Sequence, residues 1–250
     1  MCTAFVIKGK DMITGFNLDI NAGAFGYRIA ATDEYFGVQL DVSDASGIYR
    51  GMNGCGMIQG VNRNGAFATQ LNNMGCTKAP YSEEADTYPL YLLIDEYITG
   101  KIDYEKLMDI ANKKRIVNLP QECIDIPYIA MHSLIADRAG HILMLEPGNG
   151  YSVISEKYAV LSNFPMIELA DDFCEEKYGY FGKDRYDRAL DTLKSYGDDF
   201  SVQDGLRLLD SVKQTGEWAT RVSFVYSASE NAVYYALSGD FSKITRHAFE

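Results

Sequence analysis

The chain is 250 residues long, 47% hydrophobic, and carries a formal net charge of −12. That length supports one sizeable core in a single domain spanning residues 1–250, and the acidic surplus argues against a nucleic-acid partner. No apolar run reaches the roughly 18 residues of a membrane span, and no basic-then-apolar leader opens the chain, so a cytoplasmic protein without a membrane partner is expected.

In chain order, Thr3–Lys8 alternates as a strand, Gly9-Lys10-Asp11 makes a turn, and Met12–Asn17 returns beside it. Tyr27–Thr32 and Tyr35–Leu40 form a second pair. Gly56–Val61 and Ala66–Asn72 flank Asn62-Arg63-Asn64-Gly65, whose Asn-Gly step signals a hairpin. Thr87 and Pro89 open Leu90–Ile98, which is apolar nearly all round and so predicts a buried helix. Tyr104, Leu107, Met108 and Ala111 repeat at helical spacing. Ile129–Ala136 and His141–Glu146 flank Asp137-Arg138-Ala139-Gly140 as another hairpin, and Tyr158–Ser162 reads as a short buried strand ending at Asn163. Met166–Asp184 is acidic and aromatic, a long loop or lid. Tyr186, Ala189, Leu190 and Leu193 mark one helix face, and Ser201-Val202-Gln203-Asp204 is a capping box opening another helix. Val222–Tyr226 and Ala232–Leu237 close the chain as a hairpin. This order predicts an α+β fold in which two sheets lie between helix layers.

Five cysteines (Cys2, Cys55, Cys76, Cys123, Cys174) lie far apart, with neither CxxC spacing nor a zinc-like histidine nearby. Disulfides, metals and cofactors are therefore not expected. The glycines of Gly51–Gly60 match no phosphate-loop spacing and read as tight turns.

Cys2 stands out by position. A thiol nucleophile needs a base, and the usual one is histidine. His132 and His141 lie on the arms of one predicted hairpin and His247 near the end, with nothing around them to favour catalysis. The other base is the α-amine of a first residue, with a pKa of about 7.7–8.0. Removal of Met1, permitted before a residue as small as cysteine, puts thiol and amine on one residue. The competing reading is an incidental cysteine at the start of an edge strand.

The motifs resemble those of the linear-amide C–N hydrolases: choloylglycine hydrolases, penicillin V acylases and, more distantly, acid ceramidase-like amidases. Met1-Cys2-Thr3 precedes Gly15-Phe16-Asn17-Leu18-Asp19, similar to the family's Gly-Arg-Asn-Leu/Met-Asp. Gly60-Val61-Asn62-Arg63-Asn64-Gly65 through Gln70-Leu71-Asn72-Asn73 resembles its Gly-Met-Asn-x-x-Gly hairpin ending in Leu-Asn. Val160-Leu161-Ser162-Asn163-Phe164-Pro165 resembles Leu-Thr-Asn-x-Pro, and Arg185-Tyr186-Asp187-Arg188 resembles Arg-Phe-x-Arg. Val233-Tyr234-Tyr235 is similar to the final strand.

The resemblance implies a four-layer αββα N-terminal-nucleophile sandwich that hydrolyses a small-molecule N-acyl amide. It assigns Cys2 as nucleophile, Asp19 as acceptor for its amine, Asn72 as oxyanion asparagine, Asn163 as the second active-site asparagine, and Arg185 as the cation favouring thiolate. The residues alone also allow Asp19, Asn72 and Asn163 to be turn formers, and Arg185 and Arg188 to pair with surface acids.

Phe16 stands where most relatives carry a second active-site arginine, and is assigned to substrate binding as an apolar wall. The chain is shorter than bile salt hydrolases between Asn163 and Arg185, where their insertion helps assemble a tetramer. That assembly is not carried over, and homo-oligomer formation stays open. An acyltransferase, or a binding pseudoenzyme weakened by Phe16, are the alternative functions.

Overall fold

The computed structural model describes residues 2–23, 26–41, 59–74, 79, 82, 84–118, 130–167 and 181–250. Cys55, Cys76, Cys123, Cys174, most of the Gly51–Gly60 run and most of the expected lid lie outside these residues.

The first sheet begins with β1 (Thr3–Lys8) and β2 (Met12–Asp19), joined by the expected turn. It is completed by β13 (Tyr158–Leu161), β14 (Thr220–Ser227), β15 (Ala232–Leu237) and β16 (Thr245–Ala248), in the order β13-β1-β2-β14-β15-β16. The second contains β3 (Gly26–Ala31), β4 (Tyr35–Asp41), β5 (Gln59–Asn62), β6 (Phe67–Ala68), β10 (Met131–Ala136), β11 (Ile142–Glu146) and β12 (Gly150–Val153), with β7 (Leu71–Asn72) also paired to β10. The expected arm Ala66–Asn72 is thus two short strands, interrupted at Thr69 and Gln70.

Among the described residues, four α-helices cover the outer faces: α1 (Leu90–Ile98), α2 (Tyr104–Lys113), α3 (Lys183–Ser195) and α4 (Val202–Ser211). The α4 capping box forms in full, with Ser201 and Asp204 each accepting the other's backbone N–H. Residues Thr87–Pro89 do more than open α1. They form β8, paired in parallel with β9 (Arg115–Val117).

Strand alternation sorts the apolar residues into three layers. On β1, Ala4 and Val6 face the space between the sheets with Phe16, Leu134, Ala136 and Phe224. Phe5 and Ile7 point the other way, onto Ala189 and Leu193 of α3 and Leu206 and Leu209 of α4. Beyond the second sheet, Ile135, Leu143 and Leu145 meet Leu90, Leu93 and Ile94 of α1 and Leu107 of α2. Central strands covered on both faces read as continuous apolar runs, which is why β1 is buried along almost its whole length. The architecture is αββα. Among the described residues no helix is long and apolar enough to cross a membrane.

Candidate active site

Cys2 is buried immediately before β1, on the inter-sheet side. Its backbone nitrogen, a peptide N–H while Met1 precedes it, donates to Asn163 Oδ1 at 2.6 Å. Asn163 sits two residues beyond β13, the strand that pairs with β1, so the pairing brings these sequence-distant residues together. The same Oδ1 accepts from Arg185 Nη2 at 3.0 Å, while Asn163 Nδ2 donates to the Asn72 carbonyl at 2.8 Å. Two donors on one atom and a carbonyl facing the other fix the orientation of this carboxamide.

Arg185 enters from the first turn of α3 and is among the largest fully buried side chains. Its inward direction follows from sharing a face with Ala189 and Leu193. Its Nη1 donates to the Cys2 carbonyl at 2.8 Å, to Thr3 Oγ1 at 2.9 Å and to Asp19 Oδ2 at 3.3 Å. Arg188 instead donates to the Ser211 carbonyl at 2.5 Å near the surface. Arg188 thus lies near the surface, with a backbone carbonyl rather than an acid as its described partner, while Arg185 is buried against Asp19.

Asp19, at the end of β2, is 1% exposed and accepts from Thr220 Oγ1 at 2.6 Å. Burial pushes its carboxyl up to about 7, against the opposing pull of Thr220, Arg185 and the chain's amino terminus. Burial likewise pushes the Cys2 thiol up. The amino terminus, an Asp19 backbone hydrogen bond and Arg185 oppose that rise, and the Asp19 carboxylate adds to it. A thiol held up in this way needs a base to ionise it.

Cys2, Asp19, Asn163 and Arg185 therefore form one hydrogen-bonded cluster, joined by the backbone of Asn72. The Asn72 side chain is placed differently. Asn72 lies opposite Met131, which packs against the outer helical core, so the register turns its carboxamide to that face. Phe16 is fully buried on the Cys2 side of β2, opposite Ala4 and Phe224, with its ring centroid 5.9 Å from that of Phe224.

None of the three imidazoles has Cys2 among its described partners. His132 contacts Glu146 and the Ser162 carbonyl, His141 contacts Asp137 and Tyr104, and His247 contacts the Thr32 carbonyl.

Sequence reasoning missed Thr3, Thr220, Ser162 and Gly182. Ser162 Oγ donates to the Gly182 carbonyl at 3.0 Å, tying the Asn163 turn to the start of α3. Gly182 has a φ of +83°, and a Cβ there would stand 2.2 Å from Ser162 Oγ and 2.7 Å from Arg185 Nη2. Only glycine fits both that backbone conformation and that approach.

Two antiparallel sheets between helix layers make the N-terminal-nucleophile hydrolase fold. The structure is similar to that of the C2A mutant of conjugated bile acid hydrolase from Clostridium perfringens, with a TM-score of 0.67 and 16% identity over 98% of this chain and 92% of that one. It is also similar to penicillin V acylase from Agrobacterium tumefaciens, with a TM-score of 0.57 and 12% identity over 95% of this chain and 83% of that one. By sequence, no family model and no curated protein matches the chain. The likeness is one of fold.

Proposed function

We propose that the protein is an N-terminal cysteine amidohydrolase acting on linear, non-peptide amides. The observation that carries this reading is the buried Cys2 nitrogen, held 2.6 Å from Asn163 Oδ1 beside the Arg185–Asp19 pair. A peptide nitrogen has no lone pair to offer as a base. Removal of Met1 turns it into an amine already held by Asn163 and close to Asp19.

The neutral amine takes the thiol proton, and sulfur adds to the amide carbonyl. The oxyanion that develops needs fixed donors. The second N–H of Asn163 Nδ2, which has no partner among the described residues, is one of them. The ammonium returns its proton to the leaving nitrogen as the C–N bond breaks. Water then adds to the thioester, the amine again accepts a proton, and the acid leaves while the thiol is restored.

The substrate class is an N-acyl amide: a conjugated bile acid, an acylated β-lactam, or an N-acyl amine. An apolar Phe16 in place of a cation favours uncharged amides over taurine or glycine conjugates, whose leaving groups are anionic. The test is intact mass of protein from its native host, labelling with a thiol-reactive acyl probe, and hydrolysis of a panel covering these classes. The expected result is loss of Met1, one label on Cys2, and no turnover by Cys2→Ala. Retained Met1 in an active protein, or full activity of Cys2→Ala, removes the mechanism.

A further inference from the structure

We infer that the Asn73 carboxamide is a catalytic residue, one that binds the carbonyl oxygen of the substrate amide as charge develops on it. The inference rests on the amidohydrolase reading above.

The argument starts from register. Leu71 and Asn72 lie opposite His132 and Met131 on β10, and the Asn73 N–H bonds the Ala130 carbonyl at 2.8 Å, which extends the same pairing by one residue. Opposed residues in an antiparallel pair project to the same face, and successive residues alternate. Along β10, Leu134 and Ala136 face the inter-sheet core while Ile135 faces the helices. Ala130 and His132 therefore belong to the inter-sheet side, and so do Asn73 and Leu71. Leu71 is found in the inter-sheet core together with Cys2. Asn72, opposite Met131, is on the far side.

The second observation is independent. Asn73 is 2% exposed, yet neither its Oδ1 nor its Nδ2 has a hydrogen-bond partner. A buried carboxamide with both ends unpaired is costly, and folded proteins seldom keep one without a use for it.

The third is location. The residues on either side of Asn73 both hold Asn163: the Asn72 carbonyl accepts from its Nδ2 at 2.8 Å, and the Met74 N–H donates to its carbonyl at 3.1 Å. Asn163 in turn accepts the Cys2 nitrogen. The unpaired amide thus stands at the wall of the nucleophile's site, on the nucleophile's face. A pre-set N–H donor in a water-poor site stabilises an oxyanion without reorganising. Asn73 supplies the side-chain donor that the motif assigned to Asn72.

The test compares wild type with Asn73→Leu, close in shape but without polar atoms, and with Asn73→Ala should leucine not fit. Measured are the melting temperature, the rate of Cys2 alkylation by iodoacetamide, and kcat and KM on an uncharged N-acyl anilide. The expected result for Asn73→Leu is a melting temperature at or above wild type and unchanged alkylation. A fall of about 10²–10³-fold in kcat with little change in KM is expected alongside, since the contact strengthens in the transition state. Wild-type kcat in both variants overturns the inference, and so does a clear fall in melting temperature, which would reveal a structural partner. A loss of 10²-fold or more in Asn72→Ala with none in Asn73→Leu returns the role to Asn72. Failure of the parent reading looks different, because hydrolysis would then persist in Cys2→Ala or be absent from wild type, and either result ends both proposals.

Discussion

Arg185 and Asp19 form an ion pair that water barely reaches, with Nη1 at 3.3 Å from Oδ2 and side-chain exposures of 2% and 0%. The same Nη1 holds the Cys2 carbonyl, so this pair fixes the first residues of β1 as well as balancing charge. Removing one partner of a buried pair leaves the other charge unsatisfied, typically at a cost of about 3–5 kcal/mol. Arg185→Met is expected to lose that much by urea denaturation at about pH 8, where Asp19 is ionised, and less at about pH 5, where it holds a proton. Arg185→Lys should recover part of it, since an ammonium can reach Asp19 but cannot span four acceptors. Wild-type stability in Arg185→Met would refute the structural role.

The pH dependence follows from Asp19. Its folded carboxyl, pushed up to about 7 from an ordinary 3.8, keeps a proton that the unfolded chain has already released. Folding stability from this group is therefore fully present below about pH 4, declines as pH rises through the window, and is gone above about 7. Asp19→Asn should flatten that decline in pH-dependent thermal melts. Acceptance of the amine's hydrogen needs the ionised form, so kcat/KM should rise with pH as Asp19 loses its proton, and Asp19→Asn should remove that limb. A profile that is flat across the acid side would disconnect Asp19 from the reaction.

Gly182 allows a cleaner separation of strain from contact. Both Gly182 and Gly150 have positive φ, +83° and +86°, but a Cβ at Gly150 meets nothing within 4 Å. Gly150→Ala should cost only the left-handed penalty of about 1–2 kcal/mol and leave activity intact. Gly182→Ala should cost more and also depress kcat, because the methyl displaces Ser162 or Arg185. Equal effects of the two substitutions would show that the close approach does not matter.

Phe16 is a core residue as well as a substitution in a motif. Phe16→Arg would bury a cation between the sheets and is expected to lose several kcal/mol, so it is a poor probe of specificity. Phe16→Leu should cost less than the roughly 3–5 kcal/mol of truncation to alanine and keep the preference for amides with neutral leaving groups. A panel of neutral and anionic amides with matched acyl chains, run on both proteins, checks this. Faster turnover of anionic substrates by wild type would remove Phe16 as the determinant.

Local patterns in the sequence were informative where the structure is local. The bounds of β1, α1 and β15 follow from alternation, apolar content and the turn residues beside them, and the capping box at Ser201 announces α4. β9, β12 and β16 carry no comparable signal, because each exists through a partner strand that the sequence does not name. The site divides in the same way. Cys2 is marked by its position, and Asp19, Asn163 and Arg185 by motif resemblance. Thr220 meets Asp19 across 201 residues, and Gly182 lay inside what reads as an acidic loop. The facing of Asn72 and Asn73 depends on pairing with β10, which no motif contains.

The order in which these contacts become available sets a schedule for the ribosome. β1 can pair with β2 at once, but its other neighbour, β13, begins at residue 158, and Arg185 lies 183 residues beyond the carbonyl it holds. At synthesis rates of about 5–20 residues per second, roughly 10–40 s separate the emergence of Cys2 from that of the residue that seals it. Through that interval the start of the chain is an open hairpin within reach of a peptidase. Once α3 docks, Cys2 is buried. On the proposed mechanism the time for removing Met1 is therefore before α3 docks, because the Cys2 nitrogen, buried afterwards, becomes a base only as a free amine.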